Sequence, residues 1–192
     1  MIMLRLNRMA LKEWAVVVEA LMEGRQILLL RKGGIAEAGG TFRVEHPQFS
    51  LYPTFLHQDK QYIRPDFHPT FDQILSQGEA LGRVRIQSYA RVDEMIQVPL
   101  LAPLHKLDAY HIWTPAYIDL RYQYKPETPL CLLLLRVHRL LRPIECEETA
   151  AYRGCKSWVT LEFEIDTVGA VPVLTNGEFE DQCRAIRETL QA

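Results

Sequence analysis

The sequence predicts an α+β protein built on a mixed, curled sheet or small β-barrel with flanking helices. Three observations carry that expectation. Val84, Ile86, Ser88, Ala90 and Val92 alternate with Arg83, Arg85, Gln87, Tyr89 and Arg91, the period-2 signature of a strand with one wet face. Residues 130–141 and 157–165 are further strand-length runs, the first apolar on both faces at its start and alternating later. Helices and irregular loops separate these strands, without the regular alternation that a doubly wound parallel sheet requires.

In chain order, residues 1–8 stand outside the pattern that follows and read as an extension of a single domain covering 1–192. Leu11, Trp14, Val17, Val18, Leu21 and Met22 recur at helical spacing before Gly24, a natural C-terminal cap, so an amphipathic helix burying one face is expected over 10–23. A short apolar strand is expected over 26–31, a glycine-punctuated loop over 33–40, and extended pieces over 41–45 and 49–54. Pro53, Pro65 and Pro69 interrupt the chain before a short helix over 71–77 that closes at Gly78. Another short helix is expected over 99–107. Thr114 and Pro115 read as an N-cap and first helical position, opening a helix to about Tyr122. Asn176 opens a final helix that turns Phe179, Cys183, Ile186 and Leu190 inward, with acidic residues in its first turn suiting the dipole.

Composition excludes several classes. With 48% hydrophobic and 24% charged residues in 192, the chain is neither disordered, coiled coil nor collagen. Its formal charge of -2 argues against coating nucleic acid by bulk charge. That total conceals an asymmetry: nine basic and six acidic residues give +3 over 1–64, while 65–126 carries -1 and 127–192 carries -4. The start has no apolar core of signal-peptide length, and the longest apolar run, 129–135, is far shorter than the roughly 20 residues of a membrane helix. Cys131, Cys146, Cys155 and Cys183 form no C-x-x-C pair; they read as one strand, two loop and one helix position, all free thiols. A cytoplasmic protein with no membrane partner is expected.

Several longer words of the sequence are distinctive. Trp14-Ala-Val-Val-Val-Glu-Ala-Leu21, Leu30-Arg-Lys-Gly-Gly-Ile35, Phe42-Arg-Val-Glu-His46, Leu51-Tyr-Pro-Thr54, His111-Ile-Trp-Thr114, Tyr124-Lys-Pro126 and Tyr152-Arg-Gly-Cys-Lys-Ser-Trp158 together resemble a bacterial family classed as a domain of unknown function. The resemblance spans nearly the whole chain. It implies association with Mrr-type restriction nuclease domains, and hence DNA or RNA transactions beside a restriction-system partner protein. A second resemblance covers the N-terminal part. A Trp-containing helix followed by Gly-x-Lys-x-x-Glu-x-Arg entering a strand is similar to the start of ASCH domains, relatives of the PUA fold that bind RNA or modified bases in a barrel cleft. Gly24 and Arg31 match, while Gln26 and Leu29 stand at the lysine and glutamate places. An amide and an alkyl group cannot supply an ammonium or a general base, so the resemblance implies a PUA/ASCH-like fold and binding rather than amidohydrolase chemistry.

The candidate site residues fall in four groups. Arg31 and Lys32 place two cations at a strand end beside the flexible amides of Gly33 and Gly34, an arrangement able to hold a phosphate or carboxylate; a solvated turn is the structural alternative. It is not a P-loop, whose glycines precede a Lys-Ser/Thr pair. His46, Tyr52, His57 and Gln58 follow, with polar tips outside any core pattern, and suit the same cleft. From His111 to Lys125, aromatics mix with cations as in base-stacking surfaces. There Ile112, Tyr117, Leu120 and Tyr124 recur at packing intervals, which leaves Trp113, Arg121 and Lys125 as the exposed candidates, beside His111. Lys156 and Ser157 are candidate phosphate or sugar ligands. Lys156 is poorly placed to activate Cys155, because neighbours on a strand face opposite ways.

Neither a cofactor motif nor a metal site is expected: no histidine pair has ligand spacing. A nuclease would need Pro-Asp and then Asp/Glu-x-Lys; Pro65-Asp66 is present, but Gln123-Tyr-Lys125 carries an amide where the acid belongs. The expected function is binding of RNA, DNA or a nucleotide-like ligand in a polar cleft. The alternatives are a small-substrate enzyme, amidohydrolase or nucleotide-processing, with His46 or His57 as general acid–base, and a non-catalytic module of a restriction or defence system. Oligomeric state stays open.

Overall fold

The computed structural model describes residues 4–32, 44–78, 83–154 and 156–191; the expected loop over 33–40, most of the extended piece over 41–45, and Cys155 lie outside the described residues. Strand β1 (Leu6–Trp14) runs directly into helix α1 (Ala15–Met22). The helix expected over 10–23 is thus corrected: residues 10–14 are strand. The reason is burial on both faces. Ala10, Leu11, Lys12 and Glu13 are all buried, so no polar face marks a period of two. Leu11 and Trp14 meanwhile fall in step with the helical spacing that follows. Nor does α1 bury one face only, since Ala15, Val16, Val17, Val18, Ala20 and Leu21 are all buried. It ends as expected at Gly24, in a Schellman turn: Arg25 N donates to Ala20 O (3.1 Å) and Gly24 N to Leu21 O (3.2 Å), with Gly24 at φ 71.

The remaining elements are β2 (Leu28–Arg31), β3 (Gln48–Thr54), α2 (His68–Gly78), β4 (Arg83–Val98), α3 (Leu101–His105), α4 (Pro115–Gln123), β5 (Leu130–Glu147), β6 (Trp158–Asp166), β7 (Val171–Pro172) and α5 (Asn176–Gln191). Each strand and helix expected in these regions is present, with β4 and β5 longer than expected. Cys146 consequently lies in β5 rather than in a loop. Pro115 does open α4, but Thr114 makes no side-chain cap; its Oγ1 donates to Gln61 O at 3.2 Å.

The sheet is mixed, curled and unclosed, with order β2-β5-β4-β3-β1-β6 and β7 beside β5. β1 and β3 are parallel, pairing Lys12 with Tyr52 and Trp14 with Thr54; the other pairings are antiparallel. Register shifts between Ile86 and Ser88 and between Val92 and Glu94 bend the long β4–β5 ribbon. A side-chain contact measures the curl. β2 lies four strand positions from β1, about 19 Å away in a flat sheet at ~4.8 Å per strand. Yet Arg31 Nη2 reaches Glu13 Oε2 at 3.0 Å and Lys12 O at 2.6 Å.

Apolar cores cover both faces. Leu11, Phe49, Leu51, Ala90 and the start of β5 pack with α1, α4 and α5 on one side. Ala10, Tyr52, Ile86, Tyr89, Leu140, Leu161 and Ile165 pack on the other.

Gly24 tests this packing. A Cβ there would require a left-handed backbone and sit 2.7 Å from Leu174 Cδ2, whereas a Cβ at Gly177, in the first turn of α5, meets nothing within 4 Å. In urea denaturation Gly24→Ala is expected to lose at least about 1 kcal/mol, and Gly177→Ala to be neutral or to gain up to about 1 kcal/mol. Equal effects at the two sites would contradict the turn geometry.

Candidate functional site

Because β1 and β3 are parallel, both end at the same edge of the sheet, and the curl brings the end of β2 to meet them. A cleft of about 390 Å³ opens there. Its walls include Lys12, Glu13 and Trp14 from β1, Arg31 from β2, Thr54, Leu56 and His57 from β3 and the loop beyond it, Tyr117, Leu120 and Arg121 from α4, Tyr124 just past its end, and Gly154 and Lys156 from the loop before β6.

Positions 117, 120, 121 and 124 share one helix face. Of the stripe that spacing assigns to packing, Ile112 and Tyr117 are buried in the core, whereas Leu120 and Tyr124 are 47% and 38% exposed on the cleft wall.

The cleft is layered by depth. At its floor the ion pair of Arg31 and Glu13 is nearly enclosed, the two side chains being 12% and 9% exposed. Glu13 Oε1 also accepts from Trp14 N at 2.8 Å. Lys12 is buried as well, its side chain leaving the other face of β1 toward Tyr52 and donating through Nζ to Tyr152 O (2.7 Å) and Gly154 O (3.2 Å). Tyr117 stacks on Trp113 (5.3 Å) and lies 5.0 Å from the Trp14 ring; burial pushes its phenol up to about 12, so it stays a protonated donor at neutral pH. The rim is more open. Lys156 and His57 are exposed, His57 at the unusual φ of 62. The Arg121 guanidinium lies 5.8 Å from the Tyr124 ring centre, with Lys125 Nζ 5.7 Å away from the same ring. Neither Arg121 nor Lys156 forms an ion pair among the described residues.

Of the residues singled out from the sequence, Arg31, His57, Arg121 and Lys156 share this cleft. The others do not line it. Lys32, the first residue beyond β2, lies apart from Arg31. It is buried in a separate cavity of about 260 Å³, its amine bonded to Tyr122 O and held below the usual lysine range by desolvation. Tyr52 is fully buried against Tyr152, and burial raises its phenol. His46 packs its ring edge on Trp158. Gln58 is part-buried, and the Ser157 carbonyl accepts from Lys12 N at 2.8 Å. Trp113, expected to be exposed, is 1% exposed, and His111 is buried against it.

Lys12, Glu13 and Trp14 are not legible as site residues, because the helical spacing runs through them. Their signal is a charged pair set directly against the apolar run Trp14-Ala-Val-Val-Val18.

Among the described residues, no three His, Cys, Asp or Glu side chains converge as metal ligands, and no helix is long and apolar enough to cross a membrane.

These features define an α+β protein whose curled sheet holds a basic, aromatic-walled cleft at the shared end of β1 and β3. The chain belongs to the family described as Domain of unknown function (DUF1802), whose model matches residues 10–185. No curated protein matches it. Among solved structures it is similar to ASCH from Zymomonas mobilis, at 10% identity over 92% of this chain and 93% of that one, with a TM-score of 0.45. A tyrosine-to-phenylalanine mutant of that protein gives 10% identity, 92% and 96% coverage and a TM-score of 0.46.

His111 sets a pH dependence. Burial, opposed by Asp108 and reinforced by Arg64, lowers its pKa from 6.5 to about 4. Between those values the unfolded chain binds a proton that the folded chain refuses, so stability falls as pH drops through this window. Through this group alone, stability at pH 5 is expected to be about 2 kcal/mol below that at pH 7.5. His111→Phe should flatten that slope in urea titrations; an unchanged slope would contradict the burial.

Proposed function

We propose that the cleft binds a nucleotide, either free or at the exposed end of a single strand of RNA or DNA. The observation that carries this reading is the lining itself: four cations, Lys12, Arg31, Arg121 and Lys156, and one carboxylate, Glu13, line the cleft beside the rings of Trp14, Tyr117 and Tyr124. An excess of positive charge suits a phosphate, and aromatic rings on the cleft wall suit a base. The volume falls near the lower end of the roughly 300–1,000 Å³ typical of ligand pockets, which fits one nucleotide and not a duplex. Arg31 and Lys12 are engaged within the protein, so the phosphate contacts fall to Arg121 and Lys156.

A second reading, a nucleotide-processing enzyme, is favoured by His57 alone. It is an exposed imidazole on the cleft wall, in a left-handed backbone that histidine adopts only at a cost. Product release that is abolished in His57→Ala while binding persists would support it.

Binding of a short single-stranded RNA and a mononucleotide, followed at two salt concentrations by Trp fluorescence, tests the main reading. Arg121→Ala and Lys156→Ala are each expected to weaken RNA binding about tenfold and to reduce the salt slope by about 0.7 per lost phosphate contact. Wild type and both variants binding equally, with equal slopes, would contradict it.

A further inference from the structure

We infer that the cleft takes its nucleotide base-first and selects guanine, with Glu13 accepting from the two adjacent donors of the base, N1–H and the N2 amine. This inference rests on the nucleotide reading of the cleft and adds which base it takes and which residue reads it.

The argument begins with depth. The Glu13 side chain is 9% exposed, whereas Lys156 is exposed and Arg121 half-buried. With Arg31 paired to Glu13 and the Lys12 amine held on the Tyr152 and Gly154 carbonyls, the cations left for a phosphate are Arg121 and Lys156. Entering base-first, a nucleotide leaves the phosphate to Arg121 and Lys156 and slides the base past Tyr124 and Leu120 toward Trp14 and Tyr117.

Acceptor counting then narrows the base. Glu13 Oε1 accepts from Trp14 N and Oε2 from Arg31 Nη2, one partner each, so each oxygen keeps one acceptor site. The ion pair and that amide fix the plane of the carboxylate. One acceptor site left on each of two neighbouring oxygens matches two neighbouring donors on one edge of a base, which guanine presents. Hypoxanthine lacks the amine, and uracil sets its single N3–H between two carbonyl oxygens that the carboxylate repels. Hydrogen bonds to a charged acceptor out of water are the strong ones, and a floor built to receive two donors rejects a ligand that brings one.

The test is a titration of the intact protein with GMP, IMP and UMP, followed by Trp fluorescence and calorimetry. GMP is expected to bind at least about tenfold more tightly than IMP and UMP. This comparison needs no variant, so it stands even if a floor substitution harms folding. In Glu13→Gln the preference is expected to collapse, because the amide replaces one acceptor with a donor. Equal binding of the three nucleotides, still sensitive to salt and to Arg121→Ala, would overturn the base assignment and leave the nucleotide cleft standing. A guanine preference that survives unchanged in folded Glu13→Gln would overturn Glu13 as its reader. Absence of binding by any of the three, and by single-stranded RNA, would overturn the nucleotide reading and this inference with it.

Discussion

The contact between Arg31 and Glu13 joins two strands that the order of the sheet sets four positions apart, and the cleft depends on it. Backbone pairing does not close the sheet. A side chain spans the gap instead, donating both to the Glu13 carboxylate and to the Lys12 carbonyl. An ion pair this enclosed adds little net stability, since desolvation offsets most of its attraction, but losing one partner leaves an uncompensated buried charge that costs about 3–5 kcal/mol. It therefore specifies the curl more than it strengthens it. The cost of placing Glu13 in a covered strand is understandable if the carboxylate also serves a ligand.

The parallel pairing of β1 with β3 is the second constraint. Antiparallel neighbours would have sent the ends of the two strands to opposite edges. Because they run together, Trp14 pairs with Thr54, and the chain leaves both strands at one place, into α1 and into the turn that carries His57. The same end receives Arg31 from β2 and the Gly154–Lys156 loop that Lys12 holds by its carbonyls. Scattered cations thus share one cavity on a protein whose net charge is only -2. The positive excess of the first third of the chain is concentrated, through Lys12 and Arg31, where it meets Arg121 and Lys156.

How much of this the sequence disclosed follows from the physics of each element. β4 and β5 were legible because one face of each is wet over part of its length, and α5 because its buried positions stand clear of its charged ones. β1 was not, since a strand covered on both faces has no alternation to read, and its apolar residues chanced to continue the spacing of α1. Lys12, Glu13 and Trp14, which line the cleft, lie in that stretch and carry no periodic signal of their own. Lys32 illustrates the opposite failure: its charge suggested a partner for Arg31, but it stands just beyond β2 and lies with Tyr122 in another cavity. Trp113 and His111 show that polar aromatics in a mixed segment can be core, whereas Leu120 and Tyr124, read as core, line the cleft.

Backbone and indole NMR during titration with a nucleoside monophosphate locates the ligand most directly. The indole N–H of Trp14 and the amides of Glu13, Arg121, Gly154 and Lys156 should shift together along one saturable curve. Shifts clustered instead around Lys32, Tyr122 and Leu130, or an unchanged Trp14 at saturating ligand, would contradict the account.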